Sequence, residues 1–261
     1  MELWALQKVY PGRELLYVPA YPALGRTVRN GHLVLNGTPI HETEFARDAL
    51  NPIRTSDVGY VMAPAVGEIL DSETEDDLGA IAQRIAADPG RYLMAGPAAI
   101  ARYLAASGSG SRQDDGISLG RLAERRLLVV NGSRHSTSAG QIEFARGRGL
   151  FERLPWSEFQ YQGGGSGVAR AEAAGGEVRA CLQRGSFDGI LVFGGDTAYG
   201  IYSALHEPFL EGAGELLPGV PISRSQSGLW WITKAGGFGS VDLLERLSQF
   251  DLSASPSSSS S

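Results

Sequence analysis

Apolar residues in this chain come either in short unbroken runs or at every third and fourth position, and glycine, proline or small polar residues separate the two kinds of stretch. The unbroken runs predict strands covered on both faces: Leu15 to Val18, Tyr92 to Ala95, Arg126 to Asn131, Ile190 to Phe193 and Leu229 to Thr233. His32 to Pro39 alternates about Asn36-Gly37, which predicts a hairpin. The helical spacing of Leu78, Ile81, Ala82 and Ile85 follows Ser72-Glu73-Thr74-Glu75, read as a capping box, and Asp88-Pro89-Gly90 ends that helix. Further helices are expected over Ala98 to Ala105, around Ile142 and Ala145 behind a Ser138/Gln141 capping box, and from Ser240 with Val241, Leu244 and Leu247. Another carries Val168, Ala171, Val178 and Leu182 and is expected to break or weaken at Gly175-Gly176. His41 to Asp48 reads as a loop or a short helical piece.

Strand, glycine turn and helix therefore alternate along most of the chain, which is the pattern of an α/β protein with a mainly parallel sheet. The clearest interruption is Ser107 to Gly116, polar, glycine-rich and without period, so a first domain over residues 1–110 and a second over 117–250 are expected. Residues 251–261 are a serine-rich tail expected to be disordered. The formal net charge of −6 argues against nucleic-acid binding, and no apolar window is long enough for a spanning helix, so no membrane partner is expected. With Cys181 as the only cysteine there is no disulfide framework and no cysteine-rich metal site, and no signal-peptide pattern opens the chain; a cytoplasmic home is expected.

The chemistry concentrates around Asp188 to Gly200. A wholly apolar strand runs into Gly194-Gly195, and Asp196 and Thr197 are placed at the N-cap of a helix carrying Ile201, Ala204 and Leu205. Backbone N–H groups at such a junction, with the helix dipole behind them, suit a phosphate. Gly132-Ser133 and Lys234-Ala235-Gly236-Gly237 end two other strands in the same manner, and in a parallel sheet the carboxyl ends lie along one edge, so the three loops are expected to meet at one crevice. Lys234 would neutralise phosphate charge, Ser133 and Thr197 would donate hydrogen bonds, and Asp196 would hold Mg²⁺ or take a proton from an attacking hydroxyl. Each has a plainer reading: Asp196 as a mere cap, Lys234 as a solvated lysine, Arg26 as half of a structural salt bridge rather than a fork for a substrate carboxylate. His135 stands past a glycine turn at a helix start, facing a ligand or not. Of the adjacent Trp230 and Trp231, one is expected in the core and the other outward or against a ligand. His41, Glu42 and Glu44 lack a third histidine at useful spacing and are not read as a metal site. There is no P-loop, and no G-x-G-x-x-G follows any strand, which disfavours a dehydrogenase.

Pro19 to Thr27, His41 to Asp48, Gly132-Ser133 with Gln141, Gly194 to Thr197, Leu217 to Ile222 and Lys234 to Gly239 together resemble the four-carbon acid sugar kinases, a family that includes D-threonate, D-erythronate and 3-oxo-tetronate kinases. The resemblance runs in order from about residue 2 to residue 250. It implies an N-terminal sugar-acid-binding domain, a C-terminal ATP-binding domain, and transfer of the γ-phosphate of Mg·ATP to a hydroxyl of a four-carbon acid. It places ATP at Ser133, Gly194, Gly195, Asp196, Thr197, Gly236 and Gly237, and the acid near Arg26; His135, expected beside the nucleotide from its place at the helix start, stands where many members have serine, and Gly237 where many have asparagine. The family's Asp-Asp-Leu-Thr-Gly-Ala loop and Lys-x-Asp-Ser-Thr-Leu-Arg-Gly segment have no counterpart here, so the first domain is expected to be partial. Two expectations follow: a sugar-acid kinase, or a chain that binds nucleotide without catalysis or forms one part of a split kinase. A second copy or a complementing N-terminal segment is the macromolecular partner expected.

Overall fold

The structure is a computed structural model describing residues 2–48, 52–107, 120–161, 163 and 167–251. The chain divides into two compact units, residues 1–112 and 113–261. The interrupted stretch after Ser107 and the serine-rich tail beyond Asp251 lie outside the described residues, as do three positions of the Gly163 to Gly167 loop.

In the first unit the order is α1 (Glu2–Val9), β1 (Glu14–Tyr17), β2 (Arg26–Arg29), β3 (His32–Leu35), β4 (Thr38–Pro39), α2 (Val58–Met62), β5 (Glu68–Ile69), α3 (Glu75–Ala87), β6 (Tyr92–Ala95) and α4 (Ala98–Ser107). β1 lies between β5 and β6, parallel to both. Leu16 and Val18 pack with Leu78, Ile81, Ala82 and Ile85 of α3 and Ala99 and Ile100 of α4, so the helical period read from the sequence is the buried face. The cap of α3 is Thr74, whose side chain pairs reciprocally with Asp77; the box read at Ser72 and Glu75 is two residues early. Beside this sheet, β2, β3 and β4 form an antiparallel meander. Its turns are Asn30-Gly31, with φ of 50° and 72°, and Asn36-Gly37, with φ of 50° and 83°, the left-handed pairs that two-residue hairpins require. Only the second was anticipated. The His41 to Asp48 stretch folds as two short 3-10 turns, Ile40–Glu42 and Glu44–Arg47.

In the second unit the order is β7 (Leu127–Asn131), α5 (Ser136–Gly147), α6 (Leu150–Arg153), β8 (Trp156–Gln160), α7 (Gly167–Arg184), β9 (Gly189–Phe193), α8 (Gly195–Leu205), β10 (Leu210–Leu217), β11 (Val220–Ser225), β12 (Trp230–Lys234) and α9 (Leu243–Ser248). One sheet runs β10-β11-β12-β9-β7-β8, parallel from β12 to β8 with an antiparallel margin of β10 and β11. Alternate residues divide between its faces: Leu127, Val129, Leu191 and Phe193 pack with α5, α6 and α9, while Leu128, Val130, Ile190 and Val192 pack with α7 and α8. Trp230 and Trp231 follow the same alternation, and both are buried, one on each face, so neither is left for a ligand. The last helix begins at Leu243, and Val241 stays exposed ahead of it.

α7 is continuous through Gly175-Gly176. Gly175 is there for contact: a methyl group added to it would lie 2.3 Å from the carbonyl oxygen of Gly200 on α8, and one added to Gly200 would lie 2.1 Å from that of Ala171. The two helices touch backbone to backbone. Gly176 faces open space, with nothing within 4 Å of such a methyl. Gly175→Ala is therefore expected to destabilise the chain by about 1–3 kcal/mol through overpacking, whereas Gly176→Ala should stabilise it by about 0.5–1 kcal/mol through helix propensity. Urea midpoints of the two variants against the parent check this; equal shifts would contradict the packing.

Candidate functional site

The carboxyl ends of three adjacent parallel strands are level, with Asn131 of β7 opposite Phe193 of β9, and Phe193 opposite Lys234 of β12. The first bonds beyond the strands tie the three loops together: Gly132 N donates to Phe193 O (3.1 Å) and Gly194 N donates to Lys234 O (2.8 Å). The loops then close on one another. A methyl on Gly132 would sit 1.9 Å from Thr197 Oγ1, and one on Gly236 would sit 2.2 Å from Ser133 Oγ and 3.3 Å from His135 Cβ. Gly194, at φ +106° in a conformation that L side chains rarely adopt, lies against the backbone of Ser133. Ser133, His135, Gly194, Thr197 and Gly236 are thereby brought together, and Gly195 and Gly237 belong to the same turns.

The cap of α8 is Gly194; Asp196 and Thr197 are the second and third residues of the helix, not its cap as expected. Thr197 is buried against Gly132, and Asp196 is exposed, with no hydrogen bond or ion pair of its side chain among the described residues. The first helical bond runs from Ala198 N to Gly194 O (3.0 Å), which leaves the N–H groups of Gly195, Asp196 and Thr197 without a partner inside the helix. α5 begins at the same edge with His135 as its cap, and Ser133 Oγ accepts from His135 N (3.2 Å). Two helix starts and a glycine turn thus face one place, an arrangement suited to a polyanion. Asn131, at the end of β7, adds a buried Oδ1 without a partner, a group that the sequence reading missed because nothing local distinguishes it. Among the described residues no group of three or more His, Cys, Asp or Glu side chains is placed to hold a metal.

Lys234 is not the solvated lysine of the plainer reading, and the side chain expected to neutralise phosphate is turned to partners within the protein. It is the last residue of β12 and only 2% exposed. Its Nζ donates to Gln141 Oε1 (2.7 Å), Gly236 O (2.9 Å) and Ser138 Oγ (3.1 Å), which uses all three protons. Ser138 and Gln141 lie inside α5, fully buried, and form no capping box.

In the first unit, Arg26 opens β2, and its backbone exchanges hydrogen bonds with Tyr21 (2.7 and 3.1 Å). Its Nε is buried without a partner, and no carboxylate pairs with it among the described residues, so the structural salt bridge considered above is absent. Burial lowers its pKa and the neighbouring Tyr17 raises it in part. A guanidinium so held has donors to offer an anion.

Burial also pulls the Lys234 ammonium from 10.5 down to about 7. Between those values the unfolded chain binds a proton that the folded chain does not, so stability contributed at this site rises with pH from about 7 to about 10. Lys234→Met should remove that rise, which is read as the difference between parent and variant denaturation midpoints across the range. A constant difference would show that the ammonium titrates normally.

Comparison with known proteins adds the lineage. Residues 1–68 match the model of a sugar-binding N-terminal domain, and residues 158–244 that of a nucleotide-binding C-terminal domain. A D-threonate kinase of Bordetella bronchiseptica is 26% identical over an alignment of 290 residues that takes in 88% of this chain and 69% of that protein. A D-threonate kinase of Salmonella typhimurium is 28% identical over 183 residues, 58% of this chain and 41% of that protein. Among solved structures, a Salmonella typhimurium protein provisionally described as a tRNA synthase superposes with a TM-score of 0.65 at 19% identity, over 93% of this chain and 74% of that one, which shows a shared fold. No helix among the described residues is long and apolar enough to cross a membrane. With its sugar-binding and nucleotide-binding parts in this order, the chain belongs to the four-carbon acid sugar kinase family.

Proposed function

We propose that this chain is an ATP-dependent sugar-acid kinase that passes the γ-phosphoryl group of Mg·ATP to a hydroxyl of a four-carbon acid of the threonate, erythronate or 3-oxo-tetronate kind. The observation that carries the reading is the meeting of the Ser133 loop, the start of α8 and the Gly236 loop at the ends of three adjacent parallel strands. The N–H groups of Gly195, Asp196 and Thr197 donate to phosphate oxygens, Ser133 and His135 line the same turn, and Gly236 and Gly237 let the backbone come close. When bound, Mg²⁺ neutralises charge on the phosphates, and the Asp196 carboxylate is the protein group that would hold it or accept the proton of the attacking hydroxyl. One O–P bond forms to the acid, the bond between the β- and γ-phosphates breaks, and ADP leaves. Lys234 supports the loop rather than the phosphate. In the first unit the Arg26 guanidinium takes the carboxylate of the acid.

Calorimetry on the parent chain should show Mg·ATP binding that Gly195→Val abolishes. Nothing lies within 4 Å of a methyl built on Gly195, so the added side chain starts into open space, and a melting temperature near the parent's shows that the variant keeps the fold. Equal binding by a folded variant would place the cradle elsewhere. ADP release coupled to each of the three acids then tests turnover; binding without ADP release from any of them would reduce the reading to a nucleotide-binding chain.

In the same assay two substitutions should separate the two roles. Arg26→Met is expected to raise KM for the acid about 10–100-fold, the loss of a charge-assisted hydrogen bond, and to leave KM for ATP unchanged. Asp196→Asn should lower kcat about 10²–10⁴-fold with little change in melting temperature, since Asp196 is exposed and is not the cap. An unchanged kcat would remove Asp196 from the chemistry.

A further inference from the structure

Two buried polar side chains of α5 and the buried end of β12 meet directly under the Gly236 turn. Ser138 Oγ donates to Gly236 O (2.7 Å), and Gln141 Nε2 donates to both Phe238 O (3.1 Å) and Ser240 O (2.9 Å). Lys234 Nζ then donates to Ser138 Oγ, Gln141 Oε1 and Gly236 O, so each of the two α5 side chains bonds the loop on one side and the ammonium on the other. The arrangement fixes the Gln141 amide: its oxygen must face the ammonium and its nitrogen the two carbonyls. Three loop carbonyls, those of Gly236, Phe238 and Ser240, are received in this way. The loop's own backbone adds a long bond, Phe238 N to Ala235 O at 3.4 Å, and at its far end Ser240 O also accepts from Leu243 N at 3.2 Å. The loop so held is the one whose Gly236 seats between Ser133 and His135.

We propose that Ser138, Gln141 and Lys234 form a buried clamp that sets the conformation of the 236–240 loop, and that Lys234 is a positioning residue for nucleotide binding rather than a counter-ion for phosphate. The role in binding rests on the nucleotide-site reading given above. An ammonium in this position loses its water, and a methionine of similar length would fill the space without that cost. What the charge adds is direction: three donors spread over two side chains and one loop carbonyl, which no apolar residue supplies. The proton it loses on burial at about pH 7 belongs to the same desolvation.

The test uses the whole chain as parent and as Lys234→Met, Gln141→Leu and Ser138→Ala. Hydrogen exchange without nucleotide is followed on a peptide covering 235–240, and AMP, ADP and ATP are titrated by calorimetry. The clamp predicts that loop exchange rises about tenfold or more in each folded variant while β7 and β9 stay protected, as loss of a buried charge-assisted bond requires. All three variants should weaken the three nucleotides by a similar factor, and the Lys234→Met/Gln141→Leu pair should lose less than the sum of the single losses. A phosphate counter-ion predicts the opposite: unchanged loop exchange, and a loss confined to Lys234→Met that grows from AMP to ATP. That result would overturn the proposal. Should Lys234→Met not fold, Ser138→Ala, which removes one partner only, decides by its loop exchange. A parent that binds no nucleotide would refute the nucleotide-site reading, while the exchange arm still judges the clamp.

Discussion

The second unit depends on one pairing, that of β9 with a parallel neighbour on each side. From Gly189 to Phe193 no residue is exposed, and each is matched in register to β7 and to β12. Parallel pairing in this form requires helices over both faces, and α5, α6 and α9 on one side with α7 and α8 on the other supply them. It also brings three strand ends level. Once Gly132 and Gly194 donate across those ends, the three following loops have little freedom to go elsewhere. The meeting of the three loops is thus a consequence of topology before any side chain contributes to it.

Under the Gly236 loop sits a charge in a place that favours none. Taking an ammonium out of water costs several kcal/mol, and good hydrogen bonds offset the cost without turning it into a net gain over an apolar residue. Lys234 shows both sides of this balance: three short bonds, and a proton held less tightly than in water. A chain selected for stability alone would do as well with methionine there. The bonds instead fix a loop of Ala235-Gly236-Gly237-Phe238-Gly239 that has little side chain of its own to pack. Specificity of position is the return on the lost stability, and it is delivered where a ligand's phosphates are proposed to lie.

Elements buried on both faces were legible in the sequence, since an unbroken apolar run has few other uses; β1, β6, β7, β9 and β12 all fall where such runs occur. The helical period of α3 was equally plain, because its four buried residues keep strict spacing. Edge elements were not. Trp156–Gln160 and Leu210–Leu217 mix glycine, serine and charge with their apolar positions, since one side of each is less covered, and neither was read as a strand. Capping boxes misled twice for different reasons. Ser72 and Glu75 carry the right residues, yet Thr74 and Asp77 two positions on make the reciprocal bonds. Ser138 and Gln141 carry them too, but their partner is Lys234, more than ninety residues away, and a local signature cannot see it. The same blindness explains Gly175, read as a weak point in a helix when its lack of a side chain answers to the backbone of a different helix.

That helix contact bears on the site directly. Because Ala171, Gly175 and Gly200 let α7 and α8 touch at the backbone, and because Thr197 is buried against Gly132, the first turn of α8 is held from behind and from the side by groups with almost no conformational freedom. The three N–H groups of that turn without a partner inside the helix are therefore aimed by packing. A cradle made of backbone recognises charge and size but cannot distinguish one phosphate ester, or one acid, from another. Discrimination has to come from side chains with donors left over. In the second unit those are few, since Lys234, Ser138 and Gln141 are spent on the loop; in the first, Arg26 keeps a buried Nε without a partner. On the function proposed above, the unit built on β7, β9 and β12 would supply a general anion site, and the unit in which Arg26 keeps its unpartnered Nε is where the identity of the acid would be read.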